Sequence, residues 1–233
     1  MRDIPIIFSA PMVRALLDGR KTQTRRILSK RAALNALSVF GPSFLLLPGN
    51  VDLIRYAVGD RLWVRENWQR TEAYQGFAVS YAADDSVHAL LYRDPSDPFG
   101  TAYGVGEKLN DAHDGPWRPS IHMPRWASRL TLVVEQVRVE RLQDISGYDA
   151  VWEGIFLPGG HPRGYGKPAL FPGDEGLGEQ CAESDAAFVT LYQSLWNSIH
   201  GADAWDANPW VVAISFAVHR CNIDALGPTN GGA

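Results

Sequence analysis

The chain has 233 residues, 45% of them hydrophobic, which is the length and composition of one folded domain with a buried core. Charged residues make up 21% of the chain and are of mixed sign, so the composition excludes an intrinsically disordered protein. The apolar runs are shorter than the roughly 18 residues of a membrane helix, and we expect no membrane partner. A net charge of -4 argues against a protein that binds a long polyanion over its whole surface.

The two cysteines, Cys181 and Cys221, are too few for a disulfide framework and have no zinc-ligand spacing. His219 lies two residues before Cys221 on a predicted strand, but the pattern lacks a third ligand at a suitable spacing. Pro5 and Pro11 interrupt the apolar start of the chain, which argues against a secretory signal. We therefore expect a cytoplasmic protein that uses no metal and no cofactor. The sequence does not indicate its oligomeric state.

The first predicted element is a short amphipathic helix between a cap residue, Ser9, and a helix-ending glycine, Gly19. A basic, threonine-containing stretch at residues 21–27 follows directly and favours an extended conformation. Strand alternation would place Thr24 and Arg26 on the same face of this stretch.

Several short strands are predicted further along, and one of them carries an unusual carboxylate. In residues 61–68 the alternation puts Glu66 on the same face as Leu62 and Val64, in register with core aliphatic side chains. The other predicted strands are residues 77–81 and 87–92, which form a hairpin, and residues 129–140 and 210–220.

Two helices are predicted in the second half of the chain. A short one is opened by Ser146, in a capping-box pattern, and is ended by Gly154. A longer one begins at Ser184 or Asp185 and ends at Gly201. Its predicted buried stripe consists of Ala187, Phe188, Leu191, Leu195 and Ile199.

Two segments, at residues 94–124 and 154–183, have no periodic pattern and are predicted as long loop insertions within a single domain that spans residues 1–233. The Gly- and Pro-rich part at 154–178 begins directly after Glu153, so we expect a lid or a pocket wall there. A passive surface insertion is the alternative. The tail at residues 224–233 is predicted to be disordered.

Residues 19–26 carry the pattern Gly19-x-Lys21-x-x-Thr24-x-Arg26, which resembles the Gly-x-Lys-x-x-Thr/Glu-x-Arg signature of the ASCH domain family. Three further stretches look like that family in the same order: residues 59–66, 142–154 and 208–216. The resemblance covers most of the chain and leaves the two loops as insertions, similar to the larger, phage-type members. It implies an α+β fold built on a PUA-like mixed β-barrel with flanking helices.

Some ASCH proteins are amidohydrolases that remove the acyl group from N4-acetylcytidine with a Lys, a Thr and a Glu. The resemblance implies these catalytic roles for Lys21, Thr24 and Glu153, and it implies a small nucleoside or nucleobase as the substrate. Lys21 and Thr24 are expected at a polar strand edge and not in the core.

Amide hydrolysis needs a nucleophile, a base that takes its proton, and stabilisation of the oxyanion. A lysine acts as the base only when neutral, so the pKa of Lys21 has to fall from ~10.4 toward ~7, a bias of about 4 kcal/mol. Burial and the cations Arg25 and Arg26 lower it, whereas Glu153 raises it. We therefore expect Glu153 to orient the lysine or to shuttle a proton. A mechanism in which Glu153 activates water, in place of attack by Thr24, stays open.

Four residues are candidates for substrate binding. Arg26 could hold an oxyanion or a ribose or pyrimidine oxygen, or form a structural salt bridge with a partner such as Glu66. Glu66 could bind a base edge or pair with a buried arginine. Trp68 and Trp126, near loops, could stack on a nucleobase, although most of the eight tryptophans are expected in the core.

Two other functions fit the same residues. The basic stretch at residues 11–31 could form an RNA-binding cleft without chemistry, in which Glu153 would have no role. Alternatively, the chain could be a ribonuclease that uses the same Lys, Thr and Glu on a phosphodiester. RNA is thus the second potential partner, next to a small nucleoside.

Overall fold

The computed structural model describes residues 1–73, 76–91, 116–155 and 178–227, which form a mixed α and β structure. None of its helices is both long and apolar enough to cross a membrane. The strands are β1 (Asp3–Ile7), β2 (Gln23–Ile27), β3 (Arg61–Arg65), β4 (Trp68–Ala73), β5 (Gly76–Tyr81), β6 (Ser86–Leu91), β7 (Thr131–Arg141) and β8 (Trp210–His219). The helices are α1 (Ala10–Leu17), α2 (Arg31–Phe40), α3 (Pro42–Leu45), α4 (Val51–Ile54), α5 (Gly147–Trp152) and α6 (Gly178–His200).

Five strands form one mixed sheet in the order β1-β3-β7-β8-β2. Strand β1 pairs in parallel with β3, and β2 pairs antiparallel with β8. The described strands leave this sheet open, because β1 and β2 are its two edges and do not pair with each other. The expected β-barrel is therefore not what the described strands form, whereas the α+β class is confirmed.

The three remaining strands form an antiparallel sheet in the order β4-β5-β6. The turn that joins β5 to β6 contains Asp85, whose φ of 54° lies in the left-handed region that Asp adopts more readily than most residues. The hairpin predicted at residues 77–92 is thus confirmed, with Tyr81 paired to Ser86 next to the turn.

The described residues group into two compact units, and both are discontinuous along the chain. The first unit comprises Met1, Asp18–Asp60 and Val133–Ala217. The second comprises Arg2–Leu17, Arg61–Leu132 and Val218–Ala233. Because the chain passes between the units several times, the sequence contains no linker that would mark a boundary.

The core of the first unit is an aromatic cluster around α5 and α6. Phe188, Tyr192 and Trp196 lie at positions i, i+4 and i+8 of α6 and pack with Trp205 and with Val151 of α5. The buried stripe predicted for this helix was wrong except at Phe188. The structure exposes Ala187, Leu191 and Ile199 and leaves Leu195 half-buried. Large aromatic rings at helical spacing bury more area than the aliphatic row beside them, which explains why α6 buries its aromatic face and not the predicted one.

Helix α5 positions the residue that follows it. The Ser146 hydroxyl accepts a hydrogen bond from the Asp149 N–H, which confirms the predicted cap. Gly154, with a φ of 96°, ends the helix directly after Glu153. At its start, α5 approaches α6 so closely that a Cβ on Gly147 would lie 2.6 Å from the Asp185 Cα.

The second unit has its own core cluster, formed by Trp68, Val79, Tyr81, Met123 and Ala127. In the same unit, β3 alternates as predicted: Leu62, Val64 and the following Glu66 are buried. Helix α6 begins before the predicted Ser184 or Asp185. The predicted lid, most of the two long insertions and the end of the tail lie outside the described residues, so these expectations stay predictions.

Candidate functional site

The basic segment after Gly19 is held by its backbone between α5 and β8. Thr22 donates its N–H to the Trp152 carbonyl at the end of α5, and its own carbonyl accepts from the Phe216 N–H on β8, both at 2.9 Å. These two bonds fix Thr22, the residue before β2, next to the end of α5, where Glu153 is the C-cap residue. Lys21 and Glu153 are therefore brought together by secondary structure that belongs entirely to the first unit.

Lys21 and Glu153 form a buried ion pair, with 2.6 Å between the lysine Nζ and the glutamate Oε2. The same Nζ donates to the Glu153 backbone carbonyl at 2.9 Å. The Lys21 side chain is 0% exposed and Thr24 is buried as well. The expected position outside the core was wrong, because both residues are buried, although Thr24 does lie on β2, an edge strand of the sheet. A lysine buried in this way carries its charge only as long as the carboxylate compensates it.

Arg25 holds the other oxygen of Glu153, with its Nη1 3.3 Å from Oε1. Its Nη2 contacts Glu140 at 2.8 Å and Asp149 at 3.0 Å, and Asp149 in turn accepts from Arg138. The pKa of Arg25 is raised: burial lowers it, but Glu153 and the other two carboxylates outweigh that effect. Arg25 thus stays charged and fixes the Glu153 carboxylate in place.

The pKa of Lys21 is lowered below the 10.5 of an ordinary lysine, chiefly by its burial. Glu153 opposes the shift through its charge and its hydrogen bond, while Arg26 and Arg25 add to it. The net lowering of the Lys21 pKa is what base catalysis requires, because it makes the neutral amine accessible nearer to neutral pH.

Tyr192 completes the cluster from α6, and the sequence did not indicate it. Its ring lies 6.0 Å from the Arg25 guanidinium carbon, and the Glu153 charge acts on its phenol. Burial, followed by the Glu153 charge, raises the pKa of Tyr192 well above 10.0, so the hydroxyl stays protonated. The signal that could have found it is the row of aromatic residues on α6, described above, whose middle member is the only phenol.

Thr24 and Arg26 lie on β2, where they pair with Ile214 and Val212 of β8. Strand alternation puts them on one face and Arg25 on the other. Arg26 is half-buried, and its charge acts on Lys21 and on Glu153. The first unit therefore contains Lys21, Thr24, Arg26 and Glu153, the whole catalytic set of the prediction and one residue predicted to bind substrate.

Glu66 belongs to the second unit and has an arginine partner there. Both of its carboxylate oxygens accept hydrogen bonds from Arg129, each at 2.9 Å. Arg129 also contacts Asp84 at 2.9 Å and lies 4.1 Å above the Tyr81 ring. Burial lowers the pKa of Arg129, but the hydrogen bonds that it donates to the Glu66 and Asp84 carboxylates outweigh that effect, so its pKa is raised. This arrangement favours a structural role for Glu66, as the partner of a buried arginine. That arginine is Arg129, whereas the sequence suggested Arg26.

We expect Arg129→Met to destabilise the protein by about 3 to 5 kcal/mol, because it leaves the Glu66 carboxylate buried without its partner. The double variant Glu66→Gln/Arg129→Met should recover part of that loss, since no buried charge is left over. Urea denaturation, followed by tryptophan fluorescence, gives both free energies of unfolding. Equal values for the single and the double variant would contradict the assignment of a coupled pair.

The two candidate stacking residues also lie in the second unit, and they differ in exposure. Trp68 is 3% exposed and packs edge-on against Trp126, with 5.9 Å between the ring centroids. Trp126 is 43% exposed on a short 3-10 turn. A nucleobase would need an accessible indole face, so Trp126 is the better candidate and Trp68 is a core residue.

Within the described ranges, no group of three His, Cys, Asp or Glu side chains is placed to hold a metal ion. The expectation that the protein works without a metal therefore stays a prediction. In comparisons with known proteins, no family model, no curated protein and no solved structure matches this chain. The resemblance to the ASCH family consequently depends on the sequence motifs alone.

Proposed function

We propose that this protein is a metal-independent amidohydrolase that removes the acyl group from N4-acylated cytosine nucleosides, on a fold of the PUA-like ASCH type. The observation that carries the proposal is the buried pair of Lys21 and Glu153, with 2.6 Å between Nζ and Oε2, next to Arg25. A fully buried lysine whose pKa is lowered and whose amine is oriented by a fixed carboxylate is suited to act as a base.

In the proposed reaction, the nucleophile attacks the carbonyl carbon of the N4-acyl group and Lys21 takes its proton. Arg26 holds the oxyanion or the pyrimidine oxygen through its guanidinium. When the C–N bond breaks, the proton passes from Lys21 to N4, and cytidine leaves. If Thr24 is the nucleophile, water then hydrolyses its acyl ester. If water attacks directly, the carboxylic acid forms in one step.

The burial of the central cations argues against the RNA-binding alternative. Lys21 and Arg25 are buried and their charges are compensated by carboxylates, whereas phosphate contacts need accessible cations. The exposed basic residues of the stretch at residues 11–31 are Arg14, on α1, and Lys30 and Arg31, after β2. A small, uncharged nucleoside suits a site with this charge balance better than a polymer of phosphates.

The test is incubation of the purified protein with N4-acetylcytidine and, in parallel, with a short RNA, followed by chromatography of the products. Formation of cytidine that Lys21→Met abolishes and Lys30→Met preserves supports the proposal. Cleaved RNA would instead establish the ribonuclease. RNA binding without turnover, weakening steeply between low and moderate salt, would establish the binding module.

We expect deacylation to survive exhaustive treatment with EDTA, because the proposed chemistry needs only side chains of the first unit. Turnover is measured before and after chelation and dialysis. Loss of activity that zinc or magnesium restores would assign the protein to metal-assisted hydrolysis. The first residues to replace would then be His219 and Cys221.

A further inference from the structure

We infer that Gln23 is a positioning residue of the site: its side-chain carbonyl shares the Nη1 of Arg25 with Glu153, and thereby limits how strongly Arg25 neutralises the Glu153 carboxylate. The inference deepens the proposed function and rests on it where catalysis is concerned. The contacts themselves belong to the first unit and do not depend on the reaction.

The Gln23 side chain is fixed by its position in the sheet. It lies at the start of β2, directly opposite Ser215 of β8, and is 1% exposed. Its Nε2 donates to the Ser215 Oγ at 3.0 Å, and its Oε1 accepts from the Arg25 Nη1 at 2.6 Å. Because a guanidinium has only donors, the amide atom that faces Arg25 has to be the oxygen. The two contacts therefore determine the orientation of the amide.

Gln23 and Glu153 accept from the same nitrogen of Arg25. The Arg25 Nη1 lies 2.6 Å from the Gln23 Oε1 and 3.3 Å from the Glu153 Oε1. The neutral amide thus has the shorter contact, although a carboxylate is the stronger acceptor for a guanidinium. Arg25 therefore neutralises Glu153 only in part, and the other oxygen of Glu153 keeps its 2.6 Å contact with the Lys21 Nζ.

The other edge of the Arg25 guanidinium is anchored independently of Gln23. Its Nε and Nη2 lie 3.0 and 2.8 Å from one oxygen of Glu140, and Nη2 lies 3.0 Å from Asp149. The Arg25 side chain is 0% exposed, so it has no path into solvent. Loss of the Gln23 carbonyl should therefore let Nη1 approach Glu153, toward the roughly 2.8 Å of a charge-assisted hydrogen bond, without releasing Arg25.

The charged and titratable groups around Lys21 and Glu153 come from four elements. They are Arg25 and Arg26 on β2, Arg138 and Glu140 on β7, Asp149 on α5 and Tyr192 on α6. The residues of β8 that pair with β2, 211–215, carry no titratable side chain. Replacement of Gln23 by methionine changes none of these charges. A change in the titration of Lys21 would then report the contact between Arg25 and Glu153.

The sign of the effect follows from this contact. When Nη1 lies closer, Arg25 neutralises more of the Glu153 charge, so the carboxylate holds the ammonium form of Lys21 less tightly. The pKa of Lys21 should therefore be lower in Gln23→Met than in the wild type. If Gln23 served only to hold Arg25 in place, its loss would let the guanidinium move away from Lys21. The pKa of Lys21 would then rise, because the Arg25 charge lowers it.

The chain allows a direct measurement, because it contains only four lysines: Lys21, Lys30, Lys108 and Lys167. Protein with 13C-labelled lysine side chains is titrated by NMR, and Lys21→Met identifies the signal of Lys21. We expect this signal to titrate at lower pH in Gln23→Met than in the wild type. The matched control is Gln69→Met, which replaces a buried strand glutamine of the second unit and should leave the midpoint unchanged.

A second variant keeps the test decisive if Gln23→Met does not fold. Ser215→Ala removes the hydroxyl that fixes the Gln23 amide, so the amide holds the Arg25 Nη1 less firmly. The Lys21 midpoint should then move in the same direction by a smaller amount. A midpoint that rises in Gln23→Met, or one that is unchanged in every variant that folds, would overturn the inference.

The titration needs no substrate, so the inference and the proposed function can fail separately. If the protein does not deacylate N4-acetylcytidine but the shift appears, the proposed function fails and the positioning role of Gln23 stands. If the protein deacylates it and the shift is absent, the function stands and the positioning role fails. In an active enzyme that shows the shift, the rising limb of the pH profile of kcat should move to lower pH together with the Lys21 midpoint.

Discussion

Lys21→Met is expected to abolish deacylation, with a loss of at least about a thousandfold in kcat/KM. The reason is the loss of the only buried amine that contacts Glu153 within the described cluster, and with it the base of the proposed reaction. Methionine fills a similar volume without a charge, so the buried site keeps its packing. The rate is measured on N4-acetylcytidine by the release of cytidine.

The matched control is Lys30→Met, which removes an exposed lysine of the same segment and should leave the rate unchanged. Circular dichroism and urea denaturation verify that the variants fold. Residual activity of Lys21→Met within tenfold of the wild type would remove the proposed base. Thr24→Ala then distinguishes between the two candidate nucleophiles. A comparably large loss of activity assigns the attack to the threonine, and a small loss assigns it to water.

Glu153→Gln is expected to lower kcat by at least about a hundredfold and to move the pH profile to lower pH. The wild-type rate should rise with pH and reach its plateau at the lowered pKa of Lys21, below 10.5. Because the Glu153 charge raises the pKa of Lys21, its removal lowers that pKa further, and the rising limb follows. Arg25 keeps Glu140 and Asp149 as partners, so the fold should persist.

The pH dependence of the free energy of unfolding independently checks that the pKa of Lys21 is lowered. In the folded protein Lys21 binds fewer protons than in the unfolded chain at every pH between its lowered pKa and 10.5. The free energy of unfolding should therefore rise with pH across that window, and the rise should begin at lower pH in Glu153→Gln. A pH profile that moves upward, or a stability that falls across the window, would contradict the assigned electrostatics.

Local patterns in the sequence predicted several elements correctly. The alternation in β3 placed Glu66 on the buried face, Ser146 and Gly154 bounded α5, and the pattern of the β5–β6 hairpin was read from its strands and its turn. Each of these features depends on residues that are neighbours in the chain. Capping, alternation and turn chemistry act over a few positions and can be read from them.

The features that were missed depend on contacts between distant parts of the chain. The short β1 contains Pro5 and is stabilised by parallel pairing with β3, almost 60 positions later, which no local pattern reveals. An open sheet and a closed barrel have the same strands and differ only in which edges pair. Local patterns could not identify the arginine that binds Glu66 either, since Arg129 follows Glu66 by 63 positions.

In the candidate site, too, local features could be predicted from the sequence and a contact between distant parts of the chain could not. The spacing of Lys21, Thr24 and Arg26 is local and could be predicted, and the motif resemblance added Glu153 from the other half of the chain. Tyr192 could not be found, because its helix was assigned an aliphatic stripe. Only the packing of α6 reveals that its phenol, and not Leu191 next to it, faces inward.

Gly147 sets the distance between the two helices on which this site depends. One additional methyl group there would overlap the Asp185 backbone, so the start of α5 could not keep its place beside α6. The far end of α5 carries Glu153, and α6 carries Tyr192 two turns after Asp185. The absence of a Cβ at Gly147 thus sets how closely the two helices approach, and with it how strongly the charge of Glu153 acts on the phenol of Tyr192. A larger residue at position 147 would move the carboxylate and the phenol apart.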